Sequence, residues 1–222
     1  MWKKRLLRIA KWFFGIIISL VLLISAGLYF FKDEICSLVI DEVNSYLKTE
    51  VSVSEVELTF WGSFPNLSVD FNEVFIKDPY DGATVHDTLL YSDRIRLQFN
   101  PMDIWRENYT VKSIEISPGT LKLKVNSDSL SNYDILKEPD EDSEGVDVNL
   151  ESITLNKFRV SYSNEITDQL YRTHLDEMTL SGAMSSSVFT TTAESKLKIL
   201  EARSGSITLI KNQPATLNIS VN

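Results

Sequence analysis

From Val51 onward this sequence places large apolar side chains at every second position, with occasional one-residue slips of phase. An extended strand with one apolar face reads that way, because successive side chains on a strand point to opposite sides. Val51 and Val53 alternate with Ser52 and Ser54, and Val56, Leu58 and Phe60 follow one step out of phase. Leu67-Val69-Phe71 gives way to Val74-Ile76 after a second slip. The first slip, between Val53 and Val56, implies a bulge or kink. Further alternating runs are Ile95-Leu97-Phe99, Ile114-Ile116, Leu121-Leu123-Val125, Ile153-Leu155 and Phe158-Val160-Tyr162. Leu197-Ile199, Ile207-Leu209 and Leu217-Ile219-Val221 close the series. Trp61-Gly62-Ser63, Asp78-Pro79-Tyr80-Asp81-Gly82, Ser117-Pro118-Gly119 and Asn212-Gln213-Pro214 read as turns between strands. The pattern predicts a mostly β protein: an extended antiparallel meander over 49–222 with one apolar face.

The chain before Val51 reads differently. Residues 12–31 contain no charge, and twenty helical residues span about 30 Å, the thickness of a bilayer's hydrocarbon core. Trp2, Trp12 and Tyr29 suit the interfacial belts. Five basic residues lie in 1–11, whereas Lys32 is followed at once by Asp33 and Glu34, so the N-terminus is expected on the cytoplasmic side. Ser25-Ala26-Gly27 offers small residues for a signal peptidase, but the apolar run continues to Phe31, longer than a signal peptide needs. An uncleaved anchor is expected. Residues 32–48 then place Ile35, Leu38, Val39, Glu42, Val43, Tyr46 and Leu47 near one stripe, which apart from Glu42 is that of an amphipathic helix. That stripe is expected to lie against the start of the β domain.

Two shorter features stand out. Pro101-Met102-Asp103-Ile104-Trp105-Arg106 reads as one helical turn with Asn100 as its N-cap. Residues 137–147, KEPDEDSEGVD, read as a solvated loop, without the spacing of a calcium-binding loop.

The sequence also echoes itself. Val111-Lys112-Ser113-Ile114-Glu115-Ile116 returns 39 residues later as Leu150-Glu151-Ser152-Ile153-Thr154-Leu155, each followed by a turn signal and a second apolar run. A weaker third copy begins at Gly205. Repeated hairpins imply a sheet extended by similar units. Its apolar face must leave water, since exposing a few hundred Å² costs several kcal/mol at about 25 cal/mol per Å². Either the sheet folds over itself as a sandwich, or it curls into a gutter lined by something else.

Charge and composition narrow the function. All 31 acidic residues lie at or after Asp33 and six of the 22 basic ones lie before it, so the remainder carries a formal −15. That argues against nucleic acid, which needs clustered Lys and Arg. Cys36 is the single cysteine, and His86 and His174 are the two histidines, far apart in sequence, so neither a disulfide nor a metal cofactor is expected. No G-x-S-x-G, H-E-x-x-H or Gly-rich phosphate loop occurs. Carboxylates such as Asp70, Asp78 and Asp93 are expected on a solvated surface. No enzymatic activity or cofactor is expected.

Three stretches in order carry a resemblance. VSVSEVELTF is followed by PNLSVDFNEVFIKDP, and then by LLYSDRIRLQFNPMDIWRENYTVKSIEISPGTLKLKVNSDSLSNYDIL. The last contains a strand, a short helical turn, an I-x-I-x-x-P-x-L-x-L element and Asn132-Tyr133-Asp134-Ile135-Leu136. Together with the apolar N-terminal run, residues 1–165 resemble the N-terminal region of the AsmA family. The resemblance implies a curled, groove-like sheet of the bridge-like lipid-transfer type, anchored in the inner membrane of a Gram-negative bacterium. Residues 49–222 would then be periplasmic, the N-terminal part of a longer groove. The implied partners are phospholipid acyl chains, the inner membrane and envelope proteins, in phospholipid transport toward the outer membrane and outer-membrane biogenesis. The family supplies no catalytic residues. On that reading, Leu67, Val69, Phe71, Ile95, Leu97, Phe99, Ile114, Ile116, Leu121 and Leu123 are the candidate groove lining. The competing expectation is a non-catalytic adaptor whose sheet edge recruits an envelope partner by strand pairing.

Overall fold

The computed structural model describes residues 40–41, 43–59, 63, 65–80, 88–106, 111–137, 150–184 and 189–221. The anchor expected over 12–31, Cys36, His86 and most of the acidic stretch 137–147 lie outside them. No helix among the described residues is long and apolar enough to cross a membrane.

The chain forms β1 (Val51–Ser52), β2 (Glu55–Thr59), β3 (Leu67–Lys77), β4 (Thr88–Phe99), the short helix α1 (Pro101–Trp105) and β5 (Val111–Val125). It continues as β6 (Leu150–Asn164), β7 (Gln169–Met184), β8 (Phe189–Ser204) and β9 (Ile207–Val221). The strands make one open sheet in the order β1-β3-β4-β5-β6-β7-β8-β9, with β2 pairing β3 beside β1. Substantial contact between strands is confined to these neighbours. The described strands therefore neither fold over as a sandwich nor close into a barrel.

The meander is not antiparallel throughout: β5 and β6 pair in parallel. A parallel return needs a crossover of a dozen or more residues, and 126–149 supply one. The parallel register is the sequence echo itself, since Ser113 faces Ser152, Ile114 faces Ile153 and Leu121 faces Val160, each 39 residues apart. The repeated unit is a single long strand, not the hairpin read from the turn signals. Ser117-Pro118-Gly119 lies inside β5 and Asn212-Gln213-Pro214 inside β9. Proline is tolerated there because β9 is an edge strand among the described strands and because Pro118 sits where the ladder to β4 skips one pair and the ladder to β6 skips two.

That gap belongs to a line crossing the sheet. The break between β1 and β2 lies beside Glu73, which has φ 51°. Glu73 lies beside Asp93, Asp93 beside Pro118, and Pro118 beside Lys157, which has φ 50°. The line ends at Asp176, where β7 carries one residue more than β8. At each strand the apolar positions switch between odd and even numbers here. An uninterrupted strand would put Phe71 and Val74 on opposite faces, and the left-handed residue between them re-aims the chain. The expected slip between Val53 and Val56 is the start of this crease.

The segment before β1 is tied to one end of the sheet, the end where β5 and β6 finish and β7 begins. Residues 40–41 and 43–46 are helical, so the helix stops short of Lys48. Of the expected stripe Val43 and Tyr46 are exposed and Leu47 is half-buried, whereas Ile35, Leu38 and Val39 lie outside the described residues. Polar groups hold the described part. Asn44 exchanges two hydrogen bonds with the Val51 backbone, Lys48 N donates to Ile135 O at 2.7 Å, and Lys137 N donates to Tyr46 O at 2.9 Å. Lys137 Nζ also donates to the carbonyls of Asn44 and Ser45, the favourable place for a cation at a helix C-terminus.

Asn132 fixes the partner segment. It is fully buried, its Nδ2 donates to Asp78 Oδ2 and Lys122 O at 2.9 Å, and its Oδ1 accepts from Lys124 N at 2.7 Å. Asn132→Leu removes all three bonds and leaves buried polar groups without them, which should cost about 2–4 kcal/mol. The expected result is a lower melting temperature together with faster hydrogen exchange at the Lys124 amide. Unchanged exchange at Lys124 would show that Asn132 does not hold this segment.

Candidate functional site

Cross-strand neighbours on a sheet share a face, so the register converts the alternating runs into transverse rows. Leu58, Val69, Leu97, Ile114, Ile153 and Leu180 lie opposite one another in turn across β2 to β7. The next row is Val56, Phe71, Ile95, Ile116, Leu155 and Met178. Beyond the crease come Val74, Ser92, Gly119, Phe158, Leu175 and Leu197. Ile76, Leu90, Leu121 and Val160 follow, and Leu123 then faces Tyr162. Leu67 pairs with Phe99 ahead of the first row.

The candidate lining residues thus occupy adjacent register positions on one face, and every one of them is half-buried. The row beside the crease is the most enclosed. Val74, Ser92, Phe158 and Leu175 are buried there, with Phe158 only 1% exposed. Glycine makes room for that ring. A Cβ on Gly119 would stand 2.3 Å from Phe158 Cε2 and 2.5 Å from Tyr91 O.

The face extends farther than the named candidates. β7 carries Leu175, Met178 and Leu180 onto it, although no unbroken alternating run marks this strand. Its signal is the same odd-to-even switch, here at Asp176, that marks its neighbours.

The opposite face is polar. Glu57, Asp70, Arg96 and Glu115 lie opposite one another across β2 to β5. Asp70 is buried, against the expectation of a solvated carboxylate, because Arg96 clamps it with Nε at 2.7 Å and Nη2 at 2.6 Å. Hydrogen bonding to Asp70 holds the Arg96 guanidinium above its ordinary pKa. Asp78 is likewise buried, accepting from Asn132 and Tyr80 N, with Lys124 Nζ 3.5 Å away. Asp93 is exposed, as expected. These carboxylates have structural partners, and their placement does not converge on a common reaction centre. His174 is half-buried with its Nε2 3.5 Å from Asp176. No group of three metal-binding side chains occurs among the described residues.

Helix α1 caps the strand-to-strand passage as its sequence implies, with Asn100 Oδ1 accepting from Met102 N at 3.0 Å. Comparison of the sequence with protein-family models and with curated proteins gives no match.

Proposed function

We propose that this chain is a non-catalytic, membrane-anchored lipid-handling protein whose sheet presents its apolar face to acyl chains. The carrying observation is a wide face of aliphatic and aromatic rows that are half-buried rather than covered by a second layer of the described strands. Each acyl methylene removed from water there gains about 0.8 kcal/mol, so a chain lying across several rows would be held without a polar site. The crease supports a curled, groove-like form, since bulges bend and twist the strands that carry them and the row beside the line is the most enclosed. The uncharged run 12–31 supports a single-pass anchor, with a cytoplasmic N-terminus and an exported sheet. Taken with the resemblance to the AsmA family, the reading becomes phospholipid transport from the inner toward the outer membrane of a Gram-negative cell.

One observation favours a second reading. β9 has a sheet neighbour on one side only among the described strands, and Ile207, Leu209 and Ile219 on it are exposed. An adaptor could use that edge to recruit an envelope protein by strand addition. Native mass spectrometry of the full chain, extracted gently from membranes, separates the two. Bound phospholipid in stoichiometric amount is expected. A lipid-free chain bound to a protein partner would replace the first reading with the second.

A further inference from the structure

The crease divides the polar face into two halves of different charge. On the half toward the β6–β7 turn, register sets out three transverse rows. The first runs Tyr91, Thr120, Arg159, His174 and Lys198 across β4 to β8. The second runs Lys122, Ser161, Arg172, Glu201 and Lys211 across β5 to β9. The third carries Lys124 on β5 and Arg203 on β8. Of the 22 Lys and Arg, six precede Asp33, and these rows hold seven of the other 16. Glu201 is the carboxylate within them. A part of the chain with a formal −15 thus gathers many of its cations on one half of one face.

The margins of this patch are neutralised. Arg172 Nη1 meets Glu201 at 3.1 Å, Lys124 Nζ lies 3.5 Å from Asp78, and Arg203 Nη1 meets Asp168 at 3.2 Å. Exposed Asp93 and Asp176 line the crease with Lys157, and Glu177 and Glu194 lie across it on the same face. Glu50, Asp128 and Glu165 are exposed at the turn end. The centre stays cationic. Lys122, Arg159 and Lys198 have no ion-pair partner among the described residues, and Arg159 and Lys198 are exposed. Arg159 and Lys198 stand about 10 Å apart with β7 between them, and the second row lies about 7 Å from the first. Cations so spaced do not converge on one phosphate; they suit several anions set along a line.

We propose that this half of the polar face docks an acidic, extended segment of another protein, whose carboxylates fall on Lys122, Arg159 and Lys198. Side chains on one side of an extended segment recur about every 7 Å, which matches the spacing of the cations. An anionic bilayer fits less well. It is broad, so its charge comes within a Debye length, about 10 Å, of the acids around the patch, whereas a single chain lies between them. Residues 138–147 of this chain carry six acids and lie outside the described residues. Lys137 is hydrogen-bonded to Tyr46 at the end where β6 finishes, and Leu150 opens β6 at the other end. The chain between them reaches about 47 Å at most, and β6 is itself about 46 Å long. Little length is left for a detour over β8 to Lys198. The proposal goes beyond lipid handling and does not depend on it, because the apolar rows occupy the other face.

The test uses the full chain in phosphatidylcholine nanodiscs and a fluorescent peptide of alternating glutamate and threonine, with glutamine in place of glutamate as the control peptide. Anisotropy should report binding of the glutamate peptide alone. Its affinity should fall about tenfold or more between about 50 and about 300 mM salt, as screening of exposed charges requires. Arg159→Glu with Lys198→Glu should weaken binding by about tenfold or more, since each lost attraction becomes a repulsion. Both side chains are exposed, so the fold should persist, and circular dichroism checks that. Lys112→Glu, at the far end of β5, should change the affinity less than about twofold. No binding at low salt overturns the proposal, as does equal binding by the folded double variant. Displacement of the peptide by phosphatidylglycerol vesicles at matched anion concentration assigns the face to a bilayer and overturns it too. Binding that appears only after the acids of 138–147 are changed to their amides shows that the chain occupies its own patch, and likewise overturns it.

Discussion

Replacing Leu97 and Leu123 together with glutamate should abolish photocrosslinking of the full chain to phospholipid. Leu97 sits in the first row, between Val69 and Ile114, and Leu123 lies on the far side of the crease opposite Tyr162. The pair therefore interrupts both halves of the apolar face. An ionised carboxylate will not surrender its water to an acyl chain, because the desolvation cost exceeds what several buried methylenes return. Both side chains are half-buried and within reach of solvent, so the charges can hydrate while the backbone ladders persist. Far-UV circular dichroism should stay close to that of the parent. Crosslinking equal to the parent's in a folded variant would remove this face as the lipid site.

Gly119→Ala should destabilise the sheet by about 2–3 kcal/mol, a large effect for one methyl group. The added Cβ meets the Phe158 ring and the Tyr91 carbonyl oxygen at distances that real Cβ atoms do not tolerate. The ring is enclosed with Val74 and Leu175 in the same row, so it has little space to retreat. The carbonyl belongs to a paired strand. In a domain of this size the loss corresponds to a melting temperature lower by roughly 5–10 °C. Phe158→Ala alone should cost about 3–4 kcal/mol through the cavity it opens. The double variant should cost less than the sum of the two, because removing the ring gives the new methyl one free side. Strict additivity, measured by thermal unfolding in mild detergent, would show that the close approach of Gly119 and Phe158 is not what excludes larger residues.

Much of the sheet was legible in the spacing of apolar residues. Leu67, Val69 and Phe71 announce β3, and Ile95, Leu97 and Phe99 announce β4, because a one-sided sheet imposes a period of two on any sequence that fills it. Two turn signals misled, one of them on the crease. Ser117-Pro118-Gly119 has the residues of a turn, yet Pro118 stands in a ladder gap and Gly119 makes room for a ring. Both demands are set by neighbouring strands and are invisible within the segment. β7 escaped notice for a related reason, since Asp176 breaks its alternation into pieces too short to stand out. Val43 and Tyr46 have helical spacing but are exposed, and hydrogen bonds of Asn44, Lys48 and Lys137 hold this described segment.

The sequence by itself determined that the chain is mostly β, that its strands share one apolar face, and that the phase of that face slips by single residues. These are local matters, dictated by where side chains point on an extended backbone. Only the tertiary structure decided that the slips join into one line across the sheet, that the 39-residue echo is a parallel pair in register, and that Asp70 and Asp78 are buried. Each depends on which strand lies beside which. Pairing joins residues distant in the chain, and the 39-residue offset between β5 and β6 is a register that no single segment encodes.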